Sequence, residues 1–101
     1  MFIYNITNKV SNTILEEWIK WQQDEHIPEI MATALFDDYK FFRLLEQDDS
    51  EGPTFVIQYY TSSLKNYDQY LQQYAPQLRE KAFQKWGDRF IAFRSLLESV
   101  H

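Results

Sequence analysis

The feature that most constrains this chain is a set of strand-like segments that are apolar on both alternation phases. Successive side chains of a strand point to opposite sides of a sheet, so a strand with one face in water alternates apolar and polar residues. The segment 54–61 does not alternate in this way. Phe55, Ile57 and Tyr59 fall on one phase, and Val56 and Tyr60 on the other. The segment 89–97 repeats the pattern, with Phe90, Ala92, Arg94 and Leu96 against Ile91, Phe93 and Leu97. Both faces of such a sheet need a cover. Helices of the same chain can supply one. A second copy is the commonest way to supply the other, which makes a homodimer through the open sheet face the expected assembly.

The rest of the chain supplies the helices. Residues 2–10 read as a first strand, with Phe2, Tyr4 and Ile6 alternating with Ile3, Asn5 and Thr7. Ser11, Asn12 and Thr13 are N-cap candidates, and Thr13 with Glu16 has capping-box spacing. The helix that follows carries Ile14, Trp18 and Trp21 on one stripe, with Glu16 and Lys20 as an outward pair. Pro28 disfavours a helical backbone at Ile27. His26-Ile27-Pro28 is therefore expected to interrupt the helix and bend the chain, with a short second segment over 29–32.

Residues 35–46 read as the second strand, 47–53 as an acidic turn and 54–61 as the third strand. Ser62 and Ser63 offer caps for a second long helix, along which Leu64, Tyr67, Leu71, Leu78, Ala82 and Trp86 recur at helical spacing. Pro76 should kink this helix or split it at Ala75, and Gly87 should stop it. Residues 89–97 make the fourth strand. The order βαββαβ is the ferredoxin-like split βαβ arrangement. The expectation is one α+β domain over 1–101, a four-stranded antiparallel sheet with two helices on one face.

Composition narrows the function classes. The 101 residues leave room for one domain. Aromatic residues make up 18% of them, and such rings need a core or a partner. The net charge of −5 argues against nucleic acids and anionic membranes as partners. The chain has no Cys, and so neither a disulfide framework nor a thiolate site. With no signal-peptide pattern and no long apolar run, a soluble cytoplasmic protein without a membrane segment is expected. Residues 1–6 look like the first RNA-contacting strand of RNA-recognition motifs. The second such motif fails at Glu51, Pro53 and Gln58, where a basic residue and stacking aromatics belong.

A family resemblance rests on Glu17-Trp18-Ile19-Lys20-Trp21, His26-Ile27-Pro28 and Ala34-Leu35-Phe36. Tyr59-Tyr60, Tyr67 to Tyr70, Ala75-Pro76-Gln77-Leu78-Arg79 and Arg89-Phe90-Ile91-Ala92-Phe93-Arg94 add to it. Over nearly the whole length the chain resembles an uncharacterised domain-of-unknown-function family. That family is similar to the dimeric α/β-barrel superfamily, whose members pair two ferredoxin-like sheets. The superfamily includes cofactor-independent monooxygenases, cyclases, isomerases, haem-handling enzymes and pure binding proteins. The resemblance implies a small hydrophobic or aromatic ligand held between sheet and helices, and supports the fold far more than any one activity.

Several residues are candidates for a site. His26, at the expected bend, could act as a general acid or base near neutral pH, oriented by Glu25 or Glu29, or could simply cap the helix. Trp18 and Trp21 could wall a planar ligand, although such a stripe is more often core. Tyr67, Tyr70 and Tyr74 carry the same ambiguity. Asn5, Arg43, Gln58 and Arg94, with Tyr59 and Tyr60, interrupt apolar strands, and either line a cavity, hydrogen-bond at the strand ends or pair across the dimer interface. The candidate pocket is thus His26, Trp18, Trp21, Arg43, Tyr59 and Arg94. No metal site is expected, because the only other His is His101 and no paired-His spacing occurs. No cofactor is expected either. The alternative is a non-catalytic protein whose filled aromatic core serves dimerisation or assembly.

Overall fold

The computed structural model describes residues 1–100; His101 lies outside the described residues. Strands β1 (Phe2–Val10), β2 (Asp38–Leu44), β3 (Thr54–Thr61) and β4 (Phe90–Glu98) form one sheet in the order β2-β3-β1-β4. Every neighbouring pair is antiparallel. The connections carry α1 (Leu15–Trp21) and α2 (Ile27–Met31) between β1 and β2, and α3 (Leu64–Gln73) and α4 (Ala75–Trp86) between β3 and β4. This is the expected ferredoxin-like βαββαβ fold, with each helical layer made of two segments.

The register decides which residues meet the helices. Tyr4 pairs with Tyr59 and Leu96, Ile6 with Ile57 and Arg94, and Asn8 with Phe55 and Ala92. This inner phase is the buried one. Tyr4, Ile6, Asn8, Val10, Phe55, Ile57 and Tyr59 are all buried, together with Ile14, Trp18, Trp21, Ile27 and Ile30 from the first helical layer. The outer phase meets no helix. There Phe42, Ile91, Phe93 and Leu97 are exposed, Phe93 at 63%. Between them Gln58 donates to the Asn5 side-chain oxygen at 3.1 Å, and the Tyr60 hydroxyl donates to Gln58.

Three expectations about boundaries are corrected. The first helix does not break before Pro28. Ile27 is helical, at φ −60° and ψ −47°, and its N–H bonds the carbonyl of Gln22, five residues back. A π-helical turn over Gln22–His26 connects α1 to α2. In a regular α-helix the Pro28 ring would press on the carbonyl of Asp24, and the widened turn accommodates it. Thr13 is not the N-cap. Ser11 is, accepting from the Thr13 N–H at 3.2 Å, and a short 3₁₀ turn precedes α1. β2 begins at Asp38 rather than Leu35, because Ala34 takes a left-handed φ of 62°. That turn tucks Leu35 and Phe36 into the core instead of along the sheet edge.

Other signals act as read. Ser63 caps α3 by accepting from the Asn66 N–H at 3.1 Å. Tyr74, at φ −122°, separates α3 from α4, and Pro76 sits in the first turn of α4, where its missing N–H costs nothing. Gly87, at φ 61°, ends α4. Gly52, at φ 148°, lets the loop after β2 lie against β1: a Cβ there would come 1.7 Å from the Val10 carbonyl oxygen. No helix is long and apolar enough to cross a membrane among the described residues.

Candidate functional site: a cleft between α4 and β4

Two aromatic clusters fill most of the space between sheet and helices. At one end Trp18 packs on Phe41, Phe55 and Phe90, with ring centroids 6.1, 5.5 and 5.7 Å away. At the other end Tyr4 gathers Phe36, Tyr59, Tyr67 and Tyr70 within 6.3 Å. Between the clusters lies an enclosed cavity of about 30 Å³, room for a water molecule or two. Beside it, between α4 and β4, lies an open groove of about 450 Å³. Arg79, Ala82, Phe90, Ala92 and Arg94 border both spaces, so the two adjoin and together make up the cleft.

His26 lines the inner cavity, and the π-helical turn puts it there. In an α-helix a residue five positions on lies about 140° round the axis, so its ring could not meet the first. The widened turn brings His26 back over Trp21, and the two rings stack at 4.5 Å with 19° between planes. Trp21 in turn meets Trp86 of α4 edge-on at 5.7 Å. The His26 imidazole is held down to about 4, mainly by burial, then by the charges of Arg94 and Lys81, against an opposing pull from Glu25. It is therefore neutral at pH 7, with a free lone pair.

The polar groups around it are unevenly satisfied. The Tyr59 hydroxyl and Gln22 Oε1 are buried without a partner. Burial raises the Tyr59 phenol well above its usual range, so it stays a proton donor. Asn8 donates to the Ile6 carbonyl of its own strand at 3.2 Å. Arg79 donates to the Tyr4 hydroxyl at 3.0 Å. Arg94 is exposed at the cleft mouth, and among the described residues neither arginine forms an ion pair. Glu25 and Glu29 do not hold His26. Both bind Lys81, at 3.6 and 2.9 Å.

Of the residues singled out by sequence, His26, Tyr59 and Arg94 line the inner cavity together. Trp21 stands behind His26. Trp18 is fully buried in the aromatic cluster and does not border the cleft. Arg43 lies outside it: its guanidinium reaches Asp49 of the acidic loop at 2.8 Å, and its side chain is 52% exposed. Asn5, Gln58 and Tyr60 belong to the open face of the sheet and bond one another there. Sequence reading missed Tyr4, Asn8, Gln22 and Arg79. Asn8 carried a signal, a polar residue in phase with Tyr4, Ile6 and Val10. Gln22 carried another, four residues beyond Trp18 on the buried stripe. Among the described residues no group of three or more His, Asp and Glu side chains is placed to hold a metal ion.

A family profile described as a domain of unknown function, DUF4286, matches residues 1–100. The chain belongs to that family. A search of curated proteins finds no match. Solved structures extend the fold. An ethyl tert-butyl ether d (ethd) family protein from Bacillus halodurans superposes with a TM-score of 0.72 at 13% identity, covering 99% of this chain and 100% of that one. A dimeric ferredoxin-like protein from an uncultured marine organism gives 0.71 at 12% identity, covering 99% and 95%. SnoaB, a cofactor-independent oxygenase from Streptomyces nogalater, gives 0.67 at 9% identity, covering 99% and 94%. At these identities the likeness concerns the fold.

Proposed function

We propose that this DUF4286 chain is a cytoplasmic homodimer that binds a small hydrophobic or aromatic molecule in the α4–β4 cleft, with His26 as the group that accepts a proton from it. One observation carries the reading. A neutral imidazole, an unpartnered Tyr59 hydroxyl and an unpartnered Gln22 oxygen converge on one cavity. Buried polar groups are ordinarily satisfied within the protein, so orphans that share a cavity with a titratable ring favour an outside partner. A cofactor-independent oxygenase is among the proteins of similar fold, in keeping with chemistry carried by side chains alone. A His of low basicity is a weak base, and it suits a substrate whose C–H or O–H is already acidic.

The dimer is proposed from the open sheet face. Phe42, Ile91, Phe93 and Leu97 stay exposed there, around the Asn5–Gln58–Tyr60 bonds. Adjacent exposed apolar side chains on one face are the mark of an association surface. The marine protein of the same fold is described as dimeric. Light scattering at micromolar concentration should give twice the 12.3 kDa chain mass. Phe93→Asp, which places a charge on that face along the edge strand β4, should shift the population towards monomer. A monomeric parent protein would remove the dimer.

A second reading keeps the dimer and drops the ligand. It is favoured by the small enclosed volume, about 30 Å³, far below the ~300 Å³ of ordinary ligand pockets. A screen of small aromatic molecules against the protein by proton–nitrogen NMR separates the two. The ligand reading expects saturable shifts at Ala82, Phe90, Ala92 and Arg94, and loss of any turnover in His26→Ala with the dimer intact. A silent cleft across the screen selects the assembly reading.

A further inference from the structure

The charge inside the cleft runs against the charge of the molecule. The chain carries −5 overall, yet the cleft's charged wall is Arg79 and Arg94, with Glu80 at the outer groove alone. Glu25 and Glu29, beside His26 in the sequence, share Lys81. The two guanidiniums have no such partner among the described residues.

The hydrogen-bond inventory leans the same way. The Tyr4 hydroxyl accepts from Arg79, which leaves its own proton free to donate. The Tyr59 hydroxyl is a second free donor. With the arginines, the cleft offers donors on several sides and, beside the His26 lone pair, one orphaned acceptor, Gln22 Oε1. Apart from the arginines and Glu80, whose carboxylate accepts from Gln84 at 3.1 Å, the outer groove is apolar. Pro76, Ala82, Phe83, Phe90 and Ala92 line it, and Phe83 is 63% exposed with no cover of its own.

We infer that the cleft takes a small hydrophobic carboxylic acid as its anion, with the carboxylate between Arg79 and Arg94 and the apolar body along Phe83, Phe90 and Ala92. This rests on the cleft being the binding site and names the class of molecule it selects. Guanidinium suits a carboxylate because its planar fork can give parallel, charge-assisted bonds. The apolar wall supplies the affinity that an exposed ion pair alone would not. The carboxylate would also set the reactive end of the ligand towards His26. The inner cavity is too small for the body of the ligand but has room for a polar substituent beside the acid group.

The test is an NMR titration of the full chain with phenylacetate, with its neutral amide phenylacetamide, and with acetate. Phenylacetate is expected to shift the Ala82, Phe90, Ala92 and Arg94 amides saturably. The amide should bind at least about tenfold more weakly, as loss of a charge-assisted bond implies. Acetate, lacking the apolar body, should also bind more weakly. Arg94→Gln should narrow the gap between acid and amide, leaving only what Arg79 supplies, and Arg94→Lys should keep more of the preference. Should a variant lose its fold, salt gives a second reading on the parent protein: added salt should weaken the acid and leave the amide unchanged. Acid and amide binding the cleft equally would overturn the carboxylate assignment and leave the cleft as a binding site. Shifts from none of the probes would overturn both.

Discussion

The Trp18 cluster and the cleft beside it are built from the same sheet and share the ring of Phe90 as a wall, yet they are opposite in kind. Around Trp18 three Phe rings close the space completely, and one indole N–H is left without a partner. Towards α4 the inner phase of β4 changes from Phe90 to Ala92 to Arg94. A small side chain and then a long charged one leave a gap that α4 does not fill. Aromatic abundance in this chain therefore marks where the protein is packed. Interruptions of the aromatic pattern mark where it is open.

The contrast is sharpest in stability. Trp18→Ala should cost about 3–5 kcal/mol, the range for deleting a large buried ring, measured by denaturant unfolding. Arg94→Ala should stay within about 0.5 kcal/mol, because its side chain is exposed and forms no ion pair among the described residues. Equal losses would break the distinction between packed and open halves.

A smaller effect comes from pH. The His26 imidazole titrates at about 4 in the folded protein and at 6.5 in an ordinary environment. Between those values the unfolded chain takes up a proton that the folded chain does not. The contribution is therefore intact above pH 6.5 and is lost progressively as pH falls to about 4, with a full span on the order of 3 kcal/mol. His26→Gln should flatten stability across that window. An unchanged slope in the variant would show that the ring is not desolvated.

The smallest effect concerns the orphaned hydroxyl. Tyr59→Phe should leave stability level or raise it by about 1 kcal/mol, since the group it removes is buried without a bond. A clear loss would show that the hydroxyl is satisfied in the protein, and would weaken the case for a ligand there.

The fold was legible because its signals are local. Pro76 and Gly87 bound α4, Ser63 caps α3, and strand alternation set the sheet. The site was legible in part. His26 and Arg94 stood out as polar residues in apolar surroundings, and both reach the cavity. Arg43 looked the same in sequence and does not, because Asp49 in the following loop draws it out of the layer. The π-helical turn was not legible. A Pro four residues after Asp24 reads as a break, and a widened helix satisfies the same constraint with different side-chain directions. That difference alone brings His26 onto Trp21.

The state of His26 is the point on which the cleft reading turns, and it can be measured directly. The sequence holds two His, so an NMR titration of the imidazole ring protons gives two curves, and His26→Gln assigns them. A His26 midpoint near 4, about 2.5 units below the ordinary value, is expected for a ring stacked on Trp21 and facing Arg94 and Lys81. A midpoint at or above 6.5 would contradict it, and with it the buried, cation-facing imidazole at the heart of the cleft.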